Sequence, residues 1–169
     1  YHKAMGRGII AEFSNRNYDR YISFARIGEG SLGGKARGVA FLNKLIERHS
    51  LTNRYKDISI SIPRSIVITT DYFDEFILEN GLQYVIDSEL SDDEILSEFV
   101  ASRLPEGLIS SLKTYLKTVD TPLAIRSSSK LEDSNYQPFA GVYSTYMIPL
   151  VENRDQMLRM LDKAIKSVY

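Results

Sequence analysis

The chain has 169 residues, 43% of them hydrophobic and 25% charged, an ordinary globular composition with enough length to bury a core as one domain. Its 21 basic and 22 acidic residues leave a formal charge of −1, so no global field draws it to nucleic acid or an anionic membrane, and any anion must be held locally. Cysteine is absent, which excludes disulfides and thiolate metal sites and favours a cytoplasmic setting; no apolar run reaches the roughly 20 residues of a membrane span, and no signal-peptide layout opens the chain.

Residues 1–13 carry two glycines and no clear period, and residues 1–20 read as a linker or the end of a preceding region. Tyr18, Tyr21, Ile22 and Phe24 allow a short helix over Asn17 to Phe24, whereas Tyr21 to Ile27 makes a poor buried strand because Arg26 interrupts it. The run Gly28 to Gly34 is a loop, since glycine at that density costs too much entropy inside a regular element. Beyond it, Val39, Leu42, Leu45 and Ile46 fall on one stripe, so a helix is predicted over Lys35 to Arg48.

One or two strands are predicted between Ile58 and Thr69, from an alternating stretch and a β-branched run. Thr70 or Asp71 can cap the helix built by Tyr72, Phe73, Phe76 and Ile77, which Gly81 stops. Ser91 to Glu94 matches a capping box for a helix to about Arg103, and Pro105 opens another whose apolar face is Leu108, Ile109, Leu112, Leu116 and Val119. Thr121 to Arg126 and Val142 to Ile148 read as strands. Met157, Met160, Leu161, Ala164, Ile165 and Val168 then recur at the spacing of a buried helix face. The fold class is α+β, and the helical pattern still running at Tyr169 leads us to expect an excerpt of a longer protein.

Two segments carry candidate chemistry. Arg126 leaves its strand into Ser127, Ser128 and Ser129; its planar fork of donors suits phosphate oxygens, though an ion pair with Glu132 or Asp133 is the plainer alternative. Gly33, Gly34 and Lys35 put backbone N–H groups and a point charge at a helix start, which suits an anion, while a solvated surface lysine is the plainer alternative there. Gly141 lets backbone approach a ligand closely, or only relieves a bend.

Other matches are weaker. Gly28-x-Gly30-x-x-Gly33 fits the dinucleotide fingerprint but lacks a good strand before it and an acidic strand end about 20 residues on. Ala36 stands where a Walker A loop needs Ser or Thr, and no kinase Val-Ala-Ile-Lys strand follows. His2 and His49 have no metal-ligand partner at useful spacing, and Asp92, Asp93 and Glu94 fit a helix start better than a metal cluster. Tyr136, Tyr143 and Tyr146 read as packing residues rather than base-stacking ones.

Taken in order, Gly33-Gly34-Lys35-Ala36-Arg37-Gly38, Ile62 to Thr70, Ala124 to Ser129, Glu132-Asp133 and Phe139-Ala140-Gly141 resemble the N-terminal nucleotide-binding domain of the phosphoenolpyruvate synthase and pyruvate phosphate dikinase family. The resemblance runs from about Phe24 to the end and implies the first lobe of an ATP-grasp-type domain, a mixed sheet with flanking helices over residues 21–169. It implies that Lys35 and Arg126 contact ATP phosphates, with Gly34, Ser127 and Ser128 beside them and Gly141 and Val142 in a covering loop. It also implies Mg²⁺ held by acidic residues beyond Tyr169. Phosphoryl transfer would go to a histidine on another domain and then to pyruvate, so that this piece alone is inactive. The chain departs from the family pattern at Ser129-Lys130 and at Val142-Tyr143-Ser144, where the family usually has Ala-Thr and a Gln followed by an acid. The alternatives are a dikinase of the same family with another acceptor, and a non-catalytic anion-binding regulatory module.

Overall fold

The computed structural model describes residues 11–13, 22–129 and 144–169. In chain order the elements are β1 (Ala11–Glu12), β2 (Phe24–Ile27), α1 (Gly33–Arg48), β3 (Ser65–Ile68), α2 (Thr70–Glu79), α3 (Asp92–Ala101), α4 (Glu106–Leu116), β4 (Leu123–Arg126), β5 (Thr145–Ile148) and α5 (Arg154–Val168), with 3-10 turns at Leu51–Asn53 and Leu82–Asp87. The α+β expectation is borne out. Among the described residues, however, the strands form one wholly parallel sheet, β1-β2-β3, and a separate antiparallel pair, β4-β5, rather than a single mixed sheet.

The first correction concerns β2. Phe24, Ala25 and Ile27 are buried, and the strand pairs in parallel with β3 from Phe24 opposite Ser65 to Ile27 opposite Ile68. Arg26 does not interrupt it, because its side chain leaves the sheet and its guanidinium reaches the Glu29 carbonyl at 3.5 Å. Phe24 is therefore strand and not the end of a helix; Asn17 to Tyr21 lie outside the described residues. Of the stretch Ile58 to Thr69, Ser65–Ile68 alone forms a named strand, and Ile58 makes only an isolated bridge with Tyr55.

The core lies between the helices and one face of the strands. Phe76 and Ile77 of α2, Phe99 of α3, Leu108, Leu112 and Leu116 of α4, and Met157, Leu161, Ala164 and Ile165 of α5 all bury there with Ile27 and Ile148. The apolar spacings predicted for α4 and α5 thus become contact faces, and Val119, just past α4, is 1% exposed. Burial of this kind contributes about 25 cal/mol per Å² of apolar surface and supplies most of the fold's stability. Phe76 also meets Phe99 edge to face with ring centroids 5.4 Å apart.

Polar details fix the helix ends. The Ser91 hydroxyl accepts the Glu94 N–H at 3.4 Å while the Glu94 carboxylate accepts the Ser91 N–H at 2.8 Å, so the predicted capping box is present and α3 starts there. That helix ends two residues sooner than expected, at Ala101, where Lys166 of α5 donates to the carbonyls of Val100 and Ser102 at 2.9 and 3.0 Å and pairs with Asp162 at 2.7 Å. Pro105 is the residue before α4 rather than inside it, and Gly81 follows α2 with φ of 63° as the stop signal predicted. No helix among the described residues is long and apolar enough to cross a membrane.

In contrast to the other helices, α1 adds no side chain to that core among the described residues; its buried residues are Gly33 and Ala36. Of the predicted stripe, Leu42 is 52% exposed, and Phe41 beside it is 62% exposed. The helix is anchored instead at its N-terminal end.

Candidate functional site

The two candidate segments meet. The Ser128 hydroxyl accepts the backbone N–H of Ala36 at 2.9 Å and donates to the Leu32 carbonyl at 2.9 Å, while the Gly34 N–H reaches the Ser129 carbonyl at 3.4 Å. The loop that follows β4 is therefore hydrogen-bonded directly to the first turn of α1. The close approach requires Gly33, whose φ is +75° and whose Cβ, if it had one, would overlap the Ser128 carbonyl. The helix consequently begins at Gly33, two residues before the predicted start.

Lys35 lies between the bonded Gly34 and Ala36, and Arg126 lies two residues before Ser128. Arg126 closes β4, opposite Thr145, and is exposed. Among the described residues no side-chain hydrogen bond or ion pair holds its guanidinium; Glu132 and Asp133, the alternative partners, lie outside the described residues. Among the described residues the buried hydroxyl oxygen of Ser127 has no hydrogen-bond partner, an orphan that a ligand oxygen would satisfy. Gly141 and Val142, with the rest of Phe139 to Tyr143, fall outside the described residues.

The expected use of the helix N–H groups has to be corrected. Gly33 donates towards the Ser31 hydroxyl at 3.5 Å, Gly34 to Ser129 and Ala36 to Ser128. The protein's own serines thus satisfy most of the first turn, because a helix start buried against another loop cannot leave its donors unmet. The first turn of α1 is therefore not an open ring of backbone amides.

The glycine loop is occupied as well, by a residue that sequence reasoning treated only as a possible cap. The Asp71 carboxylate accepts the Glu29 N–H at 2.9 Å and is hydrogen-bonded by the Thr69 hydroxyl, which also faces the Ile27 carbonyl at 2.8 Å. The Gly30 N–H adds to the same carboxylate. Partial burial opposes ionisation of Asp71, but these hydrogen bonds outweigh it and hold the carboxyl below the ordinary carboxylate range. Thr70 completes the clasp: its hydroxyl accepts the Ser31 N–H at 3.0 Å and its N–H donates to the Ser31 carbonyl at 3.1 Å. Gly28, with φ of +99°, leaves room for this, since a Cβ there would overlap the Thr69 hydroxyl. Thr69, not Thr70 or Asp71, is the cap position of α2, and its side chain makes no cap bond.

The dinucleotide match fails for a new reason. A buried strand does precede the glycines and a helix follows, yet the loop's amides are already turned to Asp71. The only sequence signal for the clasp was Thr-Thr-Asp directly after a strand, which by itself marks an ordinary helix start.

The remaining candidates take structural places. His49 is the residue capping the C-terminal end of α1, and Asp92, Asp93 and Glu94 form the first turn of α3. Among the described residues no three His, Asp or Glu side chains cluster as a metal set. Tyr146 packs against the core from β5; Tyr136 and Tyr143 lie outside the described residues. A surface hollow lined by Tyr55, Lys56 and Asp57 among others includes none of the phosphate candidates.

Against known proteins, a family model described as the AMP/ATP-binding domain of pyruvate phosphate dikinase matches residues 29–169. No curated protein and no solved structure gives a significant match.

Proposed function

Because the chain belongs to the family of pyruvate phosphate dikinase AMP/ATP-binding domains, we propose that it is the ATP-grasp-type lobe of a longer phosphotransferase and that Lys35, Arg126 and Ser127 hold the phosphates of ATP. The supporting observation is the junction itself: the Ser128 and Ser129 bonds to Leu32, Gly34 and Ala36 join two motifs that are far apart in sequence. Phosphoryl transfer needs positioned positive charge more than covalent chemistry from the protein, and a lysine and an arginine on the two joined segments would supply it. Gly34 and Ser128 shape this junction rather than contact the nucleotide; Gly141 and Val142 lie outside the described residues.

Transfer to a histidine on another domain, and from there to pyruvate, completes the proposed activity; another acceptor is equally compatible with this lobe. Mg²⁺ would supply charge neutralisation for the phosphates, and no cluster of three acidic side chains among the described residues fits it. One observation favours a second reading, a non-catalytic module: most first-turn amides of α1 are already satisfied within the protein.

Calorimetric titration of ATP into the protein carrying this domain separates the two. Arg126→Ala is expected to remove a charge-assisted contact of about 1.5–3 kcal/mol, which is roughly 10- to 100-fold in affinity. An unchanged affinity would sink the phosphate assignment. Lys35→Ala is expected to lower turnover more than binding, because charge on the transferred group peaks in the transition state.

A further inference from the structure

The clasp on the glycine loop has no part in the proposed phosphate contacts, yet it is the most densely bonded polar feature near them. We propose that Asp71 is a positioning residue for nucleotide binding: its carboxylate fills an anion cradle formed by residues 28–30 and so fixes the start of α1 and the place of Lys35. The inference rests on the reading of Lys35 as a phosphate ligand.

The geometry carries it in three steps. First, consecutive backbone N–H groups, from Glu29 and Gly30, converge on one carboxylate, which is how a protein cradles an anion. The Thr69 hydroxyl approaches the same group with one proton to divide between it and the Ile27 carbonyl, so the two backbone N–H groups carry the match to an anion. Secondly, the anchor is rigid, because Asp71 lies in the first turn of α2, whose Phe76 is fully buried in the core. Thirdly, the restraint extends toward Lys35. Thr70 bonds Ser31 in both directions, the Ser31 hydroxyl accepts from Gly33 at 3.5 Å and from the Arg37 guanidinium at 3.1 Å, and Ser128 holds Leu32 from the opposite side.

With α1 contributing no side chain to the core among the described residues, these bonds set where its first turn sits. Asp71 thereby acts on the ligand through the loop, without touching it. An Asn at this position keeps the shape but carries no charge and one acceptor oxygen instead of two, so it weakens the match while leaving the space filled.

The test compares wild type, Asp71→Asn and Lys35→Ala in the protein carrying this domain, by amide hydrogen exchange without nucleotide and by ATP titration. In Asp71→Asn the amides of Glu29 and Gly30 are expected to exchange at least about tenfold faster and ATP to bind about tenfold more weakly, as befits a lost charge-assisted bond. In Lys35→Ala, ATP binding weakens while those amides exchange as in wild type. Unchanged exchange in Asp71→Asn overturns the proposal. So does faster exchange with wild-type ATP affinity when Lys35→Ala has lost affinity, and that result leaves the phosphate reading of Lys35 standing. No loss of affinity in either variant overturns that reading and this proposal with it. Should Asp71→Asn not unfold cooperatively, Asp71→Ser, which keeps a short acceptor at the helix start, takes its place under the same readouts.

Discussion

Ser128 spans 92 positions of sequence to accept the backbone N–H of Ala36, and the same hydroxyl donates to Leu32. One small side chain therefore closes both the donor and the acceptor side of a helix start. Ser128→Ala strands both groups in a part-buried setting and is expected to destabilise the protein by about 1–3 kcal/mol. Urea unfolding followed by circular dichroism checks this, and a midpoint equal to wild type would mean that water replaces the hydroxyl at no cost.

Gly33 and Gly38 lie in the same helix and are expected to respond to alanine in opposite directions. At Gly33 the added Cβ meets the Ser128 backbone at a left-handed φ, so Gly33→Ala is expected to cost more than about 2 kcal/mol. At Gly38 nothing lies within 4 Å of the added carbon, and Gly38→Ala is expected to stabilise by about 0.5–1 kcal/mol through helix propensity. Thermal unfolding of the two variants side by side would expose an error in either assignment by the sign of the shift.

Lys166 is a lysine with 8% of its side chain exposed that works as a C-terminal cap for a neighbouring helix. Removing it in Lys166→Ala leaves the Val100 and Ser102 carbonyls and the Asp162 carboxylate without their donor, at an expected cost of about 2–3 kcal/mol. Lys166→Met keeps the apolar stem and should recover part of that loss. Denaturant midpoints that fall equally in both variants would assign the whole effect to the ammonium group.

Asp71 also makes a prediction about acid. Its carboxyl is held below the ordinary value of 3.8, so the folded state releases this proton more readily than the unfolded chain does. The stabilisation is then present above pH 3.8 and fades as the pH falls through the lower folded value. Tyr72 and Tyr169, whose own hydroxyls are pushed upward by burial first and by Asp71 among the neighbouring charges, stay neutral across this range and do not mask the effect. The stability difference between wild type and Asp71→Asn should therefore shrink on acidification. A difference that is constant from neutrality to pH 3 would show that the charge of Asp71 is not what stabilises the clasp.

Helices that bury a face were legible in the sequence, because Leu108, Leu112 and Leu116, or Met157, Leu161 and Ile165, recur at a period that only packing explains. The same rule found α1, which ends at Arg48 as expected, but Val39, Leu42, Leu45 and Ile46 are not part of the core among the described residues, since period reports that a face exists and not what covers it. β2 was underrated because a single Arg26 was weighed as a break, although a strand side chain can leave the sheet at its end. Lys35 and Arg126 could be picked out by residue type. The Asp71 clasp could not, because its meaning lies in hydrogen bonds between loops about 40 positions apart, and Thr-Thr-Asp carries no pattern beyond a helix start.

A helix held by its first turn and by little apolar burial is secured where directional bonds act and loosely tied elsewhere. For α1 this means that the free energy of opening it locally is set by the Ser31 to Ala36 bonds rather than by the hydrophobic core shared by α2, α4 and α5. Lys35 thus lies within the bonded turn itself, between Gly34 and Ala36, so whatever loosens those bonds acts first on the charge nearest the proposed phosphates.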